Sequence, residues 1–215
     1  MTSAQPGQPI SVGVDFDNTL VSYDSLIHLV AAERGLIDAD IKASKKLVRD
    51  TIRGLPQGEE EWQKVQALVY GPRIGEATPA EGATEFLSEC FRNGVKVNIV
   101  SHKTEFASYD ETGTNLRSAA MSWLEQNRIL DAQSYGLISE DIYFESTRKD
   151  KVERIGKLGC THFIDDLEET FMERSFPSKV KKLLYSPHLQ ASSAVQVDLS
   201  GDWTQMTEHL FHGND

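Results

Sequence analysis

Two aspartates separated by a single residue close an apolar run near the start of the chain. Asp15 and Asp17 follow Val12–Val14, which has the composition of a buried strand. Alternate residues of an extended chain share a face, so both carboxylates can point into one crevice. Two acids this close repel each other, and burial strengthens the repulsion. A divalent cation such as Mg²⁺, which prefers hard oxygen ligands, would offset that cost.

A strand followed by an Asp/Asn turn is the simplest interpretation of a single D-x-D pattern. Here the run continues as Asp15-Phe-Asp-Asn18-Thr19-Leu20, so two short polar side chains follow the acids. This longer run resembles the first motif of the haloacid dehalogenase-like phosphatases, which is D-x-D-x-T after an apolar strand. The resemblance requires the other motifs of that superfamily to follow in order.

Three further motifs do follow in that order. They are an apolar strand ending in Ser101-His102-Lys103, a lysine at a helix start (Lys149 or Lys151), and the run Phe163-Ile-Asp165-Asp166. The four motifs together span residues 11–166, which is most of the chain. Four motifs in register are far more specific than any one of them alone.

The resemblance implies a catalytic role for several of these residues. Asp15 is similar to the nucleophile that forms an aspartyl-phosphate, and Asp17 is similar to the general acid/base. Dehalogenating and ion-pumping relatives lack an acid at the second position, so Asp17 favours phosphate-ester hydrolysis. Ser101 and one lysine would balance phosphate charge. Lys151 is preferred because it directly precedes Val-Glu-Arg-Ile, and Lys149 stays a candidate.

The resemblance also implies a Mg²⁺ site. Its ligands would be Asp15, the backbone carbonyl of Asp17, and Asp166, the second acid of its pair. Asp165 is either a further ligand or a residue that orients water or the lysine.

Four residues are candidates for binding substrate: Asn18, Thr19, Asp24 and Lys103. Asp24 stands nine residues after Asp15, where phosphoserine-phosphatase-like relatives have an acid that meets a cationic group of the substrate. Capping of a helix that begins at Ser25-Leu26 explains Asp24 slightly better. His102 and Lys103 can also be surface side chains, and for His102 this is the better explanation.

The periodicity of the chain indicates which elements position these residues. Apolar runs near 10–15, 95–101, 142–144, 161–164 and 180–185 predict strands, and helical patterns separate them. This alternation predicts an α/β fold with a doubly wound, mostly parallel sheet, the Rossmann-like core of the superfamily. Ligand sites of such sheets lie at the carboxyl ends of strands. The acids and Ser101 stand at such ends, so they should converge.

Residues 22–79 stand between the first two motifs and have a helical pattern. They resemble the superfamily's small helical cap, so we expect a core of 1–21 and 80–215 with this cap above Asp15. Val21-Ser22 and Thr78-Pro79 would act as hinges, and the cap would exclude water and select substrate.

One predicted cap helix has a cationic face. Its basic residues are Lys42, Lys45, Lys46, Arg49 and Arg53. A solvated face is the usual explanation. In a chain of net charge −11, however, Lys45, Lys46 or Arg49 are candidates for contacting a second anionic group of the substrate.

Composition narrows the functional class. The chain has 215 residues with 39% hydrophobic and 26% charged residues, as in globular proteins. The net charge of −11 disfavours nucleic-acid and anionic-membrane partners. The start of the chain lacks a signal-peptide pattern, and Cys90 and Cys160 lie among apolar neighbours without a C-x-x-C partner. Both features favour the cytoplasm. The oligomeric state is not predicted.

The sequence therefore predicts a Mg²⁺-dependent phosphatase of a small phosphorylated metabolite. Phosphotransfer to an acceptor other than water, as in mutases of the superfamily, is an alternative. A catalytically inactive member that serves as a binding or regulatory module is another, and the intact Asp15, Asp17, lysine and Asp166 speak against it.

Overall fold

The computed structural model describes residues 9–187 and 195–212. Six strands form the central sheet: β1 (Ser11–Val14), β4 (Lys96–His102), β5 (Ile142–Glu145), β6 (His162–Asp165), β7 (Lys181–Tyr185) and β8 (Leu199–Gly201). Two short strands, β2 (Val21–Ser22) and β3 (Thr78–Pro79), form a separate antiparallel ribbon.

Helices connect the strands. They are α1 (Asp24–Glu33), α2 (Lys45–Arg53), α3 (Gly58–Tyr70), α4 (Ala83–Arg92), α5 (Leu116–Gln126), α6 (Arg148–Lys157), α7 (Glu168–Phe171) and α8 (Trp203–Thr207). Two 3₁₀ turns (Ile74–Glu76 and Ser139–Asp141) and a π-helical turn (Glu208–His212) complete the described elements.

The central sheet is parallel throughout, in the order β5-β4-β1-β6-β7-β8. Strand β1 lies between β4 and β6, with Val14 opposite Ile99 on one side and Ile164 on the other. The carboxyl ends of these three strands therefore meet at one edge of the sheet. This arrangement confirms the predicted α/β class.

The sheet buries both of its faces. Val12, Val14 and Ile99 belong to a large core that includes Trp123 of α5 and Trp203 of α8. A smaller core covers the other face of the sheet. It contains Val100 of β4, Phe163 of β6, Val152 and Ile155 of α6, and Phe171 of α7. Because neighbouring strand residues point to opposite faces, a sheet covered on both sides needs the continuous apolar runs seen in the sequence.

Gly13 fits the crowding on the α6 side of the sheet. An added Cβ would lie 2.5 Å from the Phe163 ring and 3.1 Å from Cys160 Sγ. The ring fills the space that a side chain would take, so β1 can lie close beside β6 only with glycine at this position.

The structure differs from the sequence-based boundaries in a few places. The sequence pattern predicts a helix from Pro79 to Arg92, but α4 begins at Ala83, because Pro79 pairs with Val21 in the ribbon and Gly82 adopts φ 83°. The pattern likewise predicts a helix from Leu116 to Leu130, but α5 ends at Gln126, since Arg128 adopts a left-handed φ of 56°. The two ribbon strands and the three-residue strand β8 are too short to give a clear pattern in the sequence.

Helices α1, α2 and α3 pack against one another, and the ribbon connects them to the sheet. The indole Nε1 of Trp123 on α5 donates to the carbonyl of Ala77 at 2.9 Å, which fixes the chain where it returns to the core. Within the described ranges, none of the helices has the length and apolarity needed to cross a bilayer.

Candidate active site

The loop after β1 sets the positions of the first two acids. The amide of Asp15 donates to the carbonyl of Ile164 at 2.9 Å, so the strand pairing extends to the first acid. Asn18 adopts φ 62°, a conformation that Asn tolerates better than most residues. The turn brings the amides of Leu20 and Val21 back to the carbonyl of Phe16. Asp15 is buried, while Asp17 is half-buried.

Lys151 joins the first and fourth motifs. Its Nζ lies 2.6 Å from Asp15 Oδ1 and 2.6 Å from Asp165 Oδ2, and all three side chains are buried. Thr147 caps α6 by accepting a hydrogen bond from the amide of Asp150, which fixes the first turn that carries Lys151. Two carboxylates beside the ammonium raise the pKa of Lys151 although burial opposes this, so the lysine stays charged.

Lys149 lies outside the site, so its inclusion among the candidate catalytic residues is corrected. Its side chain is 71% exposed and its Nζ lies 3.8 Å from Glu153 of the same helix. Residues two apart on a helix cannot share a face, and the buried face of α6 carries Lys151.

A cluster of carboxylates lies beside Lys151. Oxygens of Asp15, Asp165 and Asp166 lie within 4.8 Å of one another. Burial, with the nearby carboxylates of Asp165 and Asp15, raises the pKa of Asp166 well above its usual range. Burial likewise raises the pKa of Asp15, with Lys151 opposing and Asp165 and Asp17 adding to the rise. The site thus carries more negative charge than Lys151 neutralises.

Asp165 and Thr19 hold their neighbours in place. Asp165 is fully buried, contacts Lys151 and accepts the amide of Leu167 at 2.9 Å. Thr19 is also fully buried. Its Oγ1 accepts the amide of Asp166 at 3.1 Å and lies 3.5 Å from Asp166 Oδ1. The assignment of Thr19 to substrate binding is therefore corrected, because Thr19 fastens the first motif to the fourth.

Ser101 stands at the carboxyl end of β4 and lines the same cavity as Asp15 and Lys151. Its hydroxyl is buried and has no hydrogen-bond partner among the described residues. A buried polar group without a partner is costly, so this hydroxyl is suited to an oxygen of a bound molecule. The next residue, His102, is exposed, and its Nε2 lies 3.1 Å from the carbonyl of Ser146.

Lys103 is neither a surface side chain nor a wall of the cavity. Its Nζ lies 2.9 Å from Asp17 Oδ2 and 3.0 Å from Asp17 Oδ1, and the side chain is buried. Tyr23 donates its hydroxyl to Asp17 Oδ1 at 2.7 Å. The prediction that Lys103 binds substrate is corrected, because its buried ammonium pairs with Asp17 and its side chain is not part of the inner cavity's lining.

Helices α1, α2 and α3, which we call the cap helices, contribute a wall of this site. Lys45 and Tyr70 line a cavity of about 180 Å³ with Asp15, Asp17, Ser101 and Lys151. The pKa of Lys45 is raised: burial opposes the rise, while Tyr70, Asp166 and Asp17 cause it. The helical segment therefore lies above the carboxyl edge of the sheet, on the same side as Asp15.

A larger outer cavity of about 390 Å³ adjoins the first, and Asn18, Lys45 and Leu167 line both. Lys46 and Arg49 line its cap side, where each also pairs with Asp50. Asp24 lies at the same cavity and accepts the amide of Lys45 at 2.7 Å. Asp24 is the first residue of α1, so its carboxylate supports the start of α2 and not the N-cap of its own helix.

Comparisons with known proteins identify the fold. No protein-family model matches the chain, and a search of curated proteins finds no match. Among solved structures, the chain is similar to a haloacid dehalogenase-like hydrolase from Streptococcus pneumoniae, with TM-score 0.61, 15% identity, and coverage of 94% of this chain and 98% of that one.

Two further structures are similar over nearly their whole lengths. One is a hydrolase of the same superfamily from Ehrlichia chaffeensis (TM-score 0.54, 15% identity, 97% and 98% covered). The other is a haloacid dehalogenase family hydrolase from Deinococcus radiodurans with bound phosphate and sodium. Its TM-score is 0.53 at 18% identity, with coverage of 95% of this chain and 96% of that one. The chain has the haloacid dehalogenase-like fold.

The sequence patterns do not reveal every residue of this site. Tyr70, Arg148 and Thr170 line the inner cavity, and Tyr23 contacts Asp17. Tyr23 and Tyr70 come from the helical insertion, where a tyrosine carries no recognisable spacing. Arg148 and Lys149 both flank Lys151, and only the helix phase seen in the structure tells these basic residues apart.

Proposed function

We propose that the protein is a Mg²⁺-dependent phosphatase that hydrolyses a small phosphorylated metabolite through a phosphorylated Asp15. The observation that supports this most is the buried contact of Asp15 with Lys151 beside the unpaired hydroxyl of Ser101. A carboxylate nucleophile, a fixed cation and a free hydroxyl donor surround one small cavity. This combination suits the transfer of a phosphoryl group.

The reaction takes place in two balanced steps. A carboxylate oxygen of Asp15 attacks phosphorus, the ester bond breaks, and Asp17 gives its proton to the departing alcohol. Asp17 then removes a proton from water, the hydroxide attacks the phosphorus of phospho-Asp15, and inorganic phosphate leaves. Both aspartates return to their starting states, so one water is consumed for each ester hydrolysed.

Lys151 and Ser101 stabilise charge during both steps. The ammonium of Lys151 neutralises part of the charge where an anionic nucleophile meets a phosphate dianion. The hydroxyl of Ser101 donates to a phosphoryl oxygen, which gives this buried group the partner that it lacks. Asp165 holds Lys151 in place through a second ion pair at 2.6 Å.

The residues present fit a Mg²⁺ ion. Asp15, Asp166 and the backbone carbonyl of Asp17 would hold it, all of them hard oxygen ligands. Burial and two nearby carboxylates raise the pKa of Asp166 although Lys45 and Lys151 oppose the rise, so a bound cation would favour its ionised form further. When bound, Mg²⁺ supplies electrostatic stabilisation of the phosphoryl oxygens.

The outer cavity is the proposed site for the remainder of the substrate. Its volume of about 390 Å³ suits a small metabolite, and Lys46 and Arg49 offer positive charge to a second anionic group. Glutamate in place of Arg49 should raise KM more than it lowers kcat, because such a contact is made in the ground and transition states alike. Arg92→Glu is the control, since Arg92 is an exposed arginine on α4.

Phosphoryl transfer to an acceptor other than water is the second candidate. The outer cavity adjoins the inner one through Asn18, Lys45 and Leu167, so a second alcohol can approach the same phosphorus there. Product analysis with and without an added sugar-phosphate or alcohol acceptor distinguishes the two. Hydrolysis gives one inorganic phosphate per ester consumed, whereas transfer gives a new ester and less phosphate.

A screen of phosphorylated metabolites with Mg²⁺ tests the proposal. Asp15→Asn is the blank, and its turnover should fall by several orders of magnitude because the covalent step is lost. Asp141→Asn is the matched control: Asp141 is also a buried aspartate paired with a lysine, Lys96, but it precedes β5 at the other end of the sheet. Equal activity of Asp15→Asn and wild type in a pure preparation would remove Asp15 from its role.

A further inference from the structure

Two buried side chains hold the carboxylate of Asp17. We infer that Lys103 and Tyr23 are positioning residues that orient Asp17 and make that orientation depend on where the cap helices lie. This inference rests on the proposed function, in which Asp17 transfers protons. Neither residue lines the inner cavity, so both act through Asp17 rather than on the substrate.

Lys103 is an unusual residue for its location. Its side chain is 2% exposed, and its Nζ lies 5.3 Å from the centre of the Phe16 ring and 5.6 Å from that of Tyr70. Lysine is almost never fully buried unless it is paired, because removing an ammonium group from water is costly. The ion pair with Asp17 offsets that cost, so the position of the Asp17 carboxylate and that of the Lys103 ammonium depend on each other.

Tyr23 completes the hold on the same carboxylate. It is 1% exposed, and burial and the Asp17 carboxylate raise the pKa of Tyr23 well above its usual range. The hydroxyl therefore keeps its proton and donates a hydrogen bond to Asp17 Oδ1. An ionised carboxylate has about four lone-pair sites. Tyr23 and Lys103 both donate to Oδ1 and so fill its two sites, while the Lys103 ammonium also lies 2.9 Å from Oδ2.

This count assigns the proton transfers to Oδ2. Oδ2 is then the oxygen that carries the proton given to the leaving alcohol and that later accepts a proton from the attacking water. Rotation of the carboxylate would break the hydrogen bonds from Tyr23 and Lys103 to Oδ1. The bond from the Lys103 ammonium is charge-assisted, and such bonds are about twice as strong as neutral ones. Proton transfer needs a fixed donor-to-acceptor geometry, and these two residues supply it.

The same two residues connect Asp17 to the cap. Tyr23 follows directly after β2, one of the two strands through which the chain enters and leaves the cap helices. Its ring packs edge-on against Tyr70, the last residue of α3, with ring centres 4.7 Å apart. Lys103 also lies beside Tyr70. A displacement of α3 therefore changes the surroundings of both groups that hold Asp17.

The test compares Lys103→Met and Tyr23→Phe with wild type on two kinds of ester. An alkyl phosphate needs a proton from Asp17 to release its alcohol, whereas p-nitrophenolate leaves p-nitrophenyl phosphate without one. For the alkyl ester, Lys103→Met should lower kcat about 10- to 100-fold, part of the roughly 10²–10⁴-fold that general acid–base catalysis contributes. Tyr23→Phe removes one hydrogen bond and should lower kcat about 3- to 10-fold. KM should stay within about twofold for both variants.

Burst kinetics separate positioning from a general loss of structure. With p-nitrophenyl phosphate, the variants should keep the fast release of the first p-nitrophenolate, while the steady rate falls because Asp17 must still activate water. Lys96→Met and Tyr135→Phe are the matched controls. Lys96 pairs with the mostly buried Asp141 at the amino end of β4, the strand that Lys103 directly follows, and Tyr135 packs against the core. Both controls should keep the wild-type kinetics on both esters.

Equal losses of burst and steady rate in Lys103→Met, or a loss that Lys96→Met shares, would overturn the inference. Crystal structures of wild type and Lys103→Met provide an arm that does not depend on activity. We expect the Asp17 carboxylate to leave its position in the variant, and an unmoved carboxylate contradicts the positioning role. If wild type hydrolyses no ester, the proposed function fails, while the crystallographic arm still decides whether these residues hold Asp17.

Discussion

Replacing Lys151 by methionine should destabilise the protein and abolish its activity. The Nζ of Lys151 lies 2.6 Å from a carboxylate oxygen of Asp15 and of Asp165, and the three side chains are at most 6% exposed. Methionine keeps the volume and removes the charge, so two carboxylates stay buried without their cation. Removing one partner of a buried ion pair costs about 3–5 kcal/mol in the free energy of unfolding.

That cost corresponds to a fall in Tm of about 6–20 °C for a chain of this size. The loss of stability caused by Lys151→Met should be smaller at pH 5 than at pH 7.5. Burial already raises the pKa of Asp15, and loss of Lys151 removes the main interaction that opposes the rise. An acid whose pKa is higher in the folded than in the unfolded state binds its proton more tightly when folded. Folding stability therefore falls as pH rises from the unfolded-state pKa to the folded-state pKa. Added Mg²⁺ should restore part of the lost stability by supplying a cation to the same carboxylates.

Urea denaturation at the two pH values, with and without Mg²⁺, measures these effects. Lys149→Met is the matched control, because Lys149 is an exposed lysine on the same helix whose Nζ lies 3.8 Å from Glu153. It should change the free energy of unfolding by no more than about 0.5 kcal/mol and should retain full activity. A Lys151→Met variant as stable as the control at pH 7.5 would refute the energetic argument for this buried cluster.

Three further predictions address the metal, the sheet and the cysteines. Excess chelator should abolish turnover, and full activity in chelator would contradict the metal site. Asp166→Asn should raise the Mg²⁺ concentration needed for half-maximal activity by at least tenfold. The control Asp198→Asn, at an exposed ion pair with Lys181, should leave that concentration unchanged. Gly13→Ala should destabilise by about 1–3 kcal/mol through overpacking against Phe163, as measured by denaturation, and an unchanged midpoint would show that β1 and β6 can separate freely. Burial raises the pKa of Cys90 to about 12 and of Cys160 to about 11, so a thiol reagent at pH 8 should label both rapidly only in denaturant, and fast labelling of the native protein would contradict their burial.

Much of the fold could be predicted because the sheet is buried on both faces. A parallel strand covered on both sides gives a continuous apolar run, and the acids and Ser101 stand directly after such runs at β1, β4 and β6. Since carboxyl ends of parallel strands meet at one edge, their convergence followed from the strand pattern alone. The edge strand β8 and the ribbon of β2 and β3 escaped because two or three residues carry no period.

The parts of the site that the sequence did not specify depend on side-chain direction. Helix phase decides between Lys149 and Lys151, and residues two apart differ too little in sequence context for a decision. The sequence made Lys103 a candidate for binding substrate, because burial of its ammonium depends on a partner 86 positions away, Asp17. Tyr23 and Tyr70 meet only through the packing of the cap helices, a contact between separate elements that no local pattern encodes.

Trapping the phosphorylated enzyme is the most direct test of whether Asp15 is the nucleophile. A turning-over sample is quenched in acid within milliseconds, reduced with borohydride, which converts an aspartyl-phosphate to homoserine, and digested for mass spectrometry. We predict homoserine at position 15, in place of Asp15, only when both ester and Mg²⁺ are present. Turnover of the ester without any modified residue, or with the phosphate on a residue other than Asp15, would contradict it.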